Sequence, residues 1–436
     1  MFKSFSKHPK ELWILALTEL CERFAFWGVG NLLVLFTIEY YQFSHEKSTQ
    51  IYGIFTGCAA FLPLVGGWLA DRWNYQSPML LGALFNAVGC FLLASGYYPF
   101  FYFSLFLIAF GYGIFTPSIL TVLGYTYRDR PQLREAGFSI YYASINIGVF
   151  LALASIGTVA KLFSWHLALA LAGIVQVIGL IPLIWYLVHH KETYRALKVF
   201  QKEVRSDKRP LTGKEKSRIW VIVVFYIVSI FFWMAYIQSF SSMEIFAHDF
   251  MNKKVWGMSL SEGVFLSSES FFLILLAPFL SWVYARLQKR GQDPSPASKT
   301  CYSLFFLAAC FLVMMLASLQ IPAGAPRASV PSGYLIFSLF LMAIGEMLLA
   351  PIGLSMVSRL APHRYAALSI GLWYVSVGIA FFSGGMLAGL MEKMGTLTHF
   401  FGLFVVIALV PAIAMAFAAK KLTKMSHLQP QGREGG

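Results

Sequence analysis

Glu19, Glu22 and Arg23 stand inside one apolar stretch, where ionisable groups are least expected, and Glu269 and Glu346 stand deep inside two later ones. With Phe26 and Gly30, the first three follow the three-, four- and seven-residue spacing that places side chains on one face of a helix. A charge at the centre of a bilayer costs about 2.5–3.5 kcal/mol on insertion scales and is usually kept for function. One face of that helix must therefore look into a cavity or onto a polar partner. The chemistry open to such carboxylates is proton carriage, since a group whose water access changes takes up and loses a proton as its surroundings change. If substrate or a conformational step breaks the pairing with Arg23, proton and solute movements share one coupling free energy. A purely structural pin between helices is the plainer reading. It leaves one carboxylate over, and buried pairs stabilise weakly because desolvation offsets their attraction. Glu346 sits in the run Gly345 to Pro351, where the proline removes a backbone donor and is expected to bend the helix. Glu269 has a second reading as a helix-packing hydrogen-bond residue. Asp71 and Arg72 close an apolar stretch and read as gating or topology residues.

The elements that must position these groups are membrane helices. The chain has 436 residues, 58% hydrophobic and only 12% charged, against roughly 25% charged in an ordinary soluble domain. Apolar runs of about 20 residues, the length a helix needs to cross the hydrocarbon core, recur from end to end. A membrane barrel would show shorter runs of alternating polarity, which this sequence lacks. The spans are placed at 13–40, 50–70, 77–96, 100–124, 136–157, 165–188, 218–247, 261–286, 299–320, 331–358, 365–391 and 398–419. The basic start runs into a hydrophobic stretch too long for a signal peptide, so it reads as an uncleaved first helix. Cys21, Cys58, Cys90, Cys301 and Cys310 all fall inside spans without metal-site spacing and read as small core residues.

An even number of spans puts both termini on one side. Of 34 lysines and arginines, Arg23 is inside a span, and six (Lys47, Lys161, Lys253, Lys254, Arg327 and Lys393) fall on the odd-numbered loops. The others lie on the termini, on the even-numbered loops or, as Arg218, Arg286 and Lys299 do, at the span ends beside those loops, which makes that side cytoplasmic. The expected organisation is a six-helix half over 1–188, a basic cytoplasmic linker over 189–217, a second six-helix half over 218–420, and a cytoplasmic tail over 421–436. Two six-helix halves are the layout of transporters with a midplane substrate site between repeats. Positive-inside topology and attraction to anionic lipid account for the net charge of +14, so no nucleic-acid partner is expected. His166, His189 and His190 read as interfacial or loop residues. No metalloprotease or nucleophile-elbow motif is present, which argues against a membrane enzyme.

The stretch Glu19-Leu20-Cys21-Glu22-Arg23-Phe24-Ala25-Phe26-Trp27-Gly28 resembles the E-x-x-E-R-F-x-x-Y-G signature of the proton-dependent oligopeptide transporters, with tryptophan for the second aromatic. His8-Pro9 fits the same pattern. Gly66 to Arg72 resembles the loop after the second helix of the major facilitator superfamily, and Tyr142 to Gly148 resembles the family's fifth-helix motif. Phe232-Trp233 with Gln238, then Gly345-Glu346 through Pro362, and Gly371-Leu372-Trp373 extend the similarity over nearly the whole chain. The resemblance implies an all-α major facilitator fold of about 12 transmembrane helices. It implies proton coupling through Glu19, Glu22, Arg23 and Glu346, and a peptide cavity lined by Tyr142, Asn146, Gln238 and Trp373. Phe26, Trp27 and Glu269 complete the expected substrate contacts, and Asp71 and Arg72 the gate. No cofactor beyond the proton gradient and no metal are expected, with a monomer in the bilayer as the working unit.

The departures shape the substrate expectation. Gly30 and Thr116 replace two cations that the family uses to hold a peptide carboxylate, Ile237 replaces the seventh-helix acid, Ala60 replaces a tyrosine, and Glu269 replaces an asparagine. Four acids against one arginine should welcome a cationic group and hold a free carboxylate poorly. The expected activity is proton-coupled import of small peptides or peptide-like solutes. Export of cationic compounds and a non-transporting receptor are the rival readings. Compact loops and the lack of glycosylation sequons point to a bacterial plasma membrane.

Overall fold

Local chemistry marks several helix starts. Thr212 accepts a hydrogen bond from the Glu215 amide at 3.2 Å, while Glu215 accepts one from the Thr212 amide at 2.8 Å, a reciprocal cap that opens the second half. Ser295 caps the helix that begins at Pro296, and this proline takes the first-turn position that needs no amide donor. The computed structural model describes residues 8–73, 76–127, 134–189, 210–255, 257–292, 294–322, 328–362 and 366–426. In chain order the helices are α1 (Lys10–Glu39), α2 (His45–Arg72), α3 (Gln76–Ala94), α4 (Tyr98–Thr126), α5 (Arg134–Leu162), α6 (Trp165–His189) and α7 (Gly213–Tyr236). They continue with α8 (Ser242–Phe250), α9 (Glu262–Lys289), α10 (Pro296–Ser318), α11 (Gly333–Leu360), α12 (Ala366–Ala388) and α13 (Leu397–Ser426).

Eleven segments are long and apolar enough to cross a membrane, with α7 and α8 together forming one. The 28-residue α9 is long enough for the remaining span. Large apolar side chains such as Phe417, Leu162 and Ile181 stay exposed on helix surfaces, as lipid contact requires of a chain this apolar. The expected linker falls mostly outside the described residues, as do His190 and the end of the tail.

Two expectations are corrected, for the seventh span and for Cys58. The seventh span is not one helix: a 3₁₀ turn over Ile237–Phe240 separates α7 from α8. Serine and glutamine side chains pay for this break, as Ser241 donates to the Ile237 carbonyl at 3.1 Å and Ser242 to Gln238 Oε1 at 2.7 Å. Between α8 and α9 a short antiparallel pair, β1 (Lys254–Val255) and β2 (Met258–Ser259), turns through Gly257 at φ +81°. Cys58 is exposed on α2, whereas the other four cysteines are buried.

The described residues form two compact units. One holds α1, α2 from Ile54 onward, α3 to α6, and Leu260–Ser267 at the start of α9. The other holds His45–Gly53, α7, α8, the rest of α9, and α10 to α13. In the first, α3 packs on α4 and α6 while α1 packs on α5 and α6. In the second, α10 packs on α11 and α13 while α7 packs on α12. Third with fourth and sixth corresponds to ninth with tenth and twelfth, and first with fifth to seventh with eleventh, so the two units repeat one packing plan. Leu12, Met79, Ala83, Phe115, Ile119 and Leu183 fill the core of the first unit. Stacked and edge-on rings of Phe311, Phe400 and Phe404 join α10 to α13 in the second.

The α1–α5 contact decides where the charged face of α1 sits. Gly148 on α5 lies against the Leu20 carbonyl and the Arg23 Cβ, with no room for a side chain of its own. Gly148→Val should lower stability by about 1–3 kcal/mol by forcing the helices apart, read as a drop in thermal midpoint of the detergent-purified protein. An unchanged midpoint would mean that this approach does not position α1.

Candidate functional site

In the first unit the predicted face of α1 is buried and its ions are in contact. Arg23 Nε lies 2.7 Å from Glu19 Oε1 and 3.4 Å from Glu22 Oε2, and all three side chains are almost wholly removed from the surface. Four residues separate Glu19 from Arg23, so one helical turn brings carboxylate and guanidinium together without distorting the backbone. Asn86 on α3 donates from Nδ2 to Glu22 Oε1 at 3.2 Å, and Cys90 donates to Asn86 Oδ1 at 3.4 Å. On α4, Thr116 accepts from Arg23 Nη2 at 3.2 Å, and the Tyr112 ring lies 4.5 Å from the guanidinium carbon. Phe26 stacks on that same ring at 4.3 Å.

Two carboxylates therefore share one guanidinium. The hydroxyl of Thr116, at the position where the family that the chain resembles carries a lysine, faces that guanidinium as an acceptor. A lysine there would bring a second cation to within a few ångströms of Arg23; the threonine leaves Arg23 to balance both glutamates.

In the second unit Glu269 on α9 and Glu346 on α11 come together. Their side chains hydrogen bond to each other, and the Tyr236 hydroxyl at the end of α7 is within hydrogen-bond reach of both. Both carboxyls are buried. The 3₁₀ turn that follows ends α7 right after Tyr236. Gly345, next to Glu346, lets α11 press on α10: a Cβ there would lie 3.0 Å from the Ser303 carbonyl.

The other expected residues are distributed as follows. Asn146 is buried on α5 and donates to the Tyr142 carbonyl one turn back, while Tyr142 itself is exposed and Trp27 partly buried. Trp373 is buried on α12, its ring covering Gly353 of α11. Gln238 is fully buried with its amide committed, donating to the Gly384 carbonyl at 2.9 Å and accepting from Ser242. It braces the broken helix against α12. Ile237 is fully buried against Gly384, in an apolar contact that offers nothing for a carboxylate to bond. The side chains of Asp71 and Arg72 lie outside the described residues, although α2 does end at Arg72. His8 is buried and shares a 2.7 Å hydrogen bond with the Tyr127 hydroxyl.

Reasoning from the sequence did not single out Asn86, Tyr112 or Tyr236. It also passed over Glu244, a buried acid on α8 within electrostatic reach of Tyr52. An acid inside the expected seventh span was the available signal for Glu244; the uncharged three gave none.

The family model described as Major Facilitator Superfamily matches residues 15–323. The chain belongs to the major facilitator superfamily. Within this superfamily, a peptide transporter of Yersinia enterocolitica is 27% identical, with 89% of each chain covered. Dipeptide and tripeptide permease B of Aeromonas hydrophila is 25% identical over 98% of this chain and 96% of the relative. A crystal structure of a peptide transporter in complex with sulfate superposes with a TM-score of 0.83 at 24% identity, covering 96% of both chains. At that identity the superposition speaks for the shared fold. The major facilitator architecture expected from the motifs is thus the architecture found.

Removing the shared cation should expose the cost of two buried carboxylates. Arg23→Gln is expected to lower stability by about 3–5 kcal/mol, while Arg23→Gln combined with Glu19→Gln recovers part of the loss. A double-mutant cycle on thermal midpoints in one detergent checks this. Additive losses would show that Arg23 and Glu19 do not act as a pair.

Proposed function

We propose that this protein imports small peptides or peptide-like solutes by alternating access, driven by an inward proton gradient. The observation that carries the reading is the buried Glu19–Arg23–Glu22 cluster, formed by the signature that resembles the oligopeptide transporters. Curated relatives along nearly the full length are a peptide transporter and dipeptide and tripeptide permeases, which supports the same substrate class. The cluster suits proton carriage because one cation cannot satisfy two carboxylates to the same degree. The 2.7 Å contact with Glu19 and the longer one with Glu22 leave Glu22 the more loosely held. A proton on Glu22 would free Arg23 to follow Glu19 alone, a local change that α3 and α4 register through Asn86 and Thr116.

Gly30 and Thr116 at the usual cationic positions favour substrates whose positive group outweighs the carboxylate: basic peptides, carboxyl-capped peptides or amino-acid derivatives with a free amine. The basic residues of the even-numbered loops support a plasma-membrane orientation with both termini in the cytoplasm.

The test is uptake of labelled dialanine into proteoliposomes under an inward proton gradient, with Glu22→Gln alongside. Gradient-driven accumulation should fall in the variant by about the 5- to 150-fold of a typical coupling free energy. If wild-type vesicles move no dialanine while vesicles of an authentic peptide transporter do, the peptide reading fails. Preference for acidic over basic dipeptides in competition would overturn the cationic bias.

A further inference from the structure

The second unit holds a pair of acids for which the first-helix cluster gives no explanation. Glu269 and Glu346 come from different helices, are 2% and 7% exposed, and hydrogen bond to each other. Two fully ionised carboxylates repel and have no hydrogen to share, so a bond between them needs one proton on the pair. Among the described residues, the groups acting on the pair are each other, the Tyr236 hydroxyl from α7 and the Cys310 thiol from α10. None of these is a cation. Glu269 Oε1 and Glu346 Oε2 are both buried without a hydrogen-bond partner among the described residues. An acceptor left this way costs about 1–3 kcal/mol, more for a charged group, and the cost would be relieved by a donor arriving from outside the chain.

From this we infer that Glu269 and Glu346 form a carboxyl dyad that carries one proton and one substrate ammonium group together, Tyr236 holding the two carboxyls in register. The arithmetic of charge is simple. Fully ionised, the dyad bears two negative charges; the shared proton cancels one and a primary or secondary amine, as its ammonium ion, cancels the other. A single carboxylate opposite a neutral amide could take only one of the two. The dyad also restores an acid that can carry a proton to the second unit, where Ile237 supplies none. Coupling follows from the same balance. Without the proton the site is doubly charged and buried, and without the ammonium it keeps one charge uncompensated, so the neutral, fully loaded form is the one that crosses the dry intermediate at least cost. Proton and ammonium together supply the hydrogens that the carboxyl oxygens of the pair lack. No bond to carbon is made or broken.

This deepens the reading of the protein as a proton-coupled importer and rests on it for the substrate. Two measurements keep the two ideas separable. The first needs no substrate. Infrared difference spectra of the protein in lipid vesicles, taken across a pH step, should show a carboxylic-acid C=O band that is lost or displaced in both Glu269→Gln and Glu346→Gln. The second follows dialanine and its carboxamide, each labelled, in tracer exchange and in gradient-driven accumulation. For Glu269→Gln the ratio of accumulation to exchange should fall by about 5- to 150-fold, whereas Glu346→Gln should weaken competition by both amines. N-acetyl-dialanine, which has no ammonium, should not compete in the wild type.

A wild-type spectrum without a band sensitive to either substitution overturns the dyad. So does a Glu269→Gln protein that accumulates substrate as steeply as the wild type at every pH. Failure of the wild type to move either dialanine compound overturns the peptide reading and leaves the infrared result to decide the dyad. Monodisperse elution and a wild-type thermal midpoint for each variant separate loss of coupling from loss of fold.

Discussion

Glu19 and Glu22 can be buried together on α1 because Arg23, on the same helix, sits against both. The elements around that ion cluster are fitted to it. Asn86 on α3 steadies the glutamate that Arg23 holds less closely, Thr116 and Tyr112 on α4 occupy the other side of the guanidinium, and Gly148 brings α5 onto the backbone at Leu20. Desolvating three charges is expensive. The cluster meets that cost with hydrogen bonds from two further helices, so the packing of α3, α4 and α5 on α1 and the protonation of its carboxylates depend on one another. A proton added to either glutamate changes what Arg23 needs, and the neighbouring helices feel the change through single hydrogen bonds.

The second unit repeats the packing plan of the first but not its electrostatics. Where α1 carries two acids and an arginine, the 3₁₀ turn after α7 carries Ile237 in apolar contact with α12, and the polar side chains there serve the backbone break. The acids come instead from α9 and α11, which meet at Tyr236. A repeated scaffold with unlike ion sites is what alternating access can use: one unit holds a permanent internal cation, the other has none among the groups around its acid pair.

Much of this was legible in the sequence because charge inside an apolar run is conspicuous. Glu19, Glu22, Arg23, Glu269 and Glu346 could be marked from their surroundings alone, and the helical spacing of the first three gave their common face. Partners such as Asn86, Thr116 and Tyr236 were harder to foresee. Uncharged polar residues cost little in a membrane helix and serve packing as often as function, so their type says nothing about which neighbour they meet. The break after Tyr236 was hidden for a different reason: it contains neither glycine nor proline, and the side chains that stabilise it are serines and a glutamine that an intact helix would also tolerate. Gln238 shows the consequence, since a residue expected to face a cavity has its amide spent on that break. Glu244 met the criterion that marked the other acids, and only its place near the end of the span kept it from notice.

The substitutions at the expected family positions make more sense together than singly. A lysine in place of Thr116 would compete with Arg23 for the same carboxylates, so its loss concentrates the pairing on one guanidinium. That guanidinium, held at 2.7 Å by Glu19 and covered by the Tyr112 ring, has little left to offer a substrate carboxylate. Glutamate in place of asparagine at 269 pushes the balance the same way, adding a negative group beside Glu346. The changes at 116 and 269 both raise the affinity of their sites for positive charge, and a proton is the smallest positive charge available. A chain that lacks two carboxylate-binding cations and carries its second-unit acid at 269 in place of 237 therefore changes charge balance and proton sites with the same substitutions. On the function proposed above, selectivity for amines and the means of coupling them to the gradient have one physical origin.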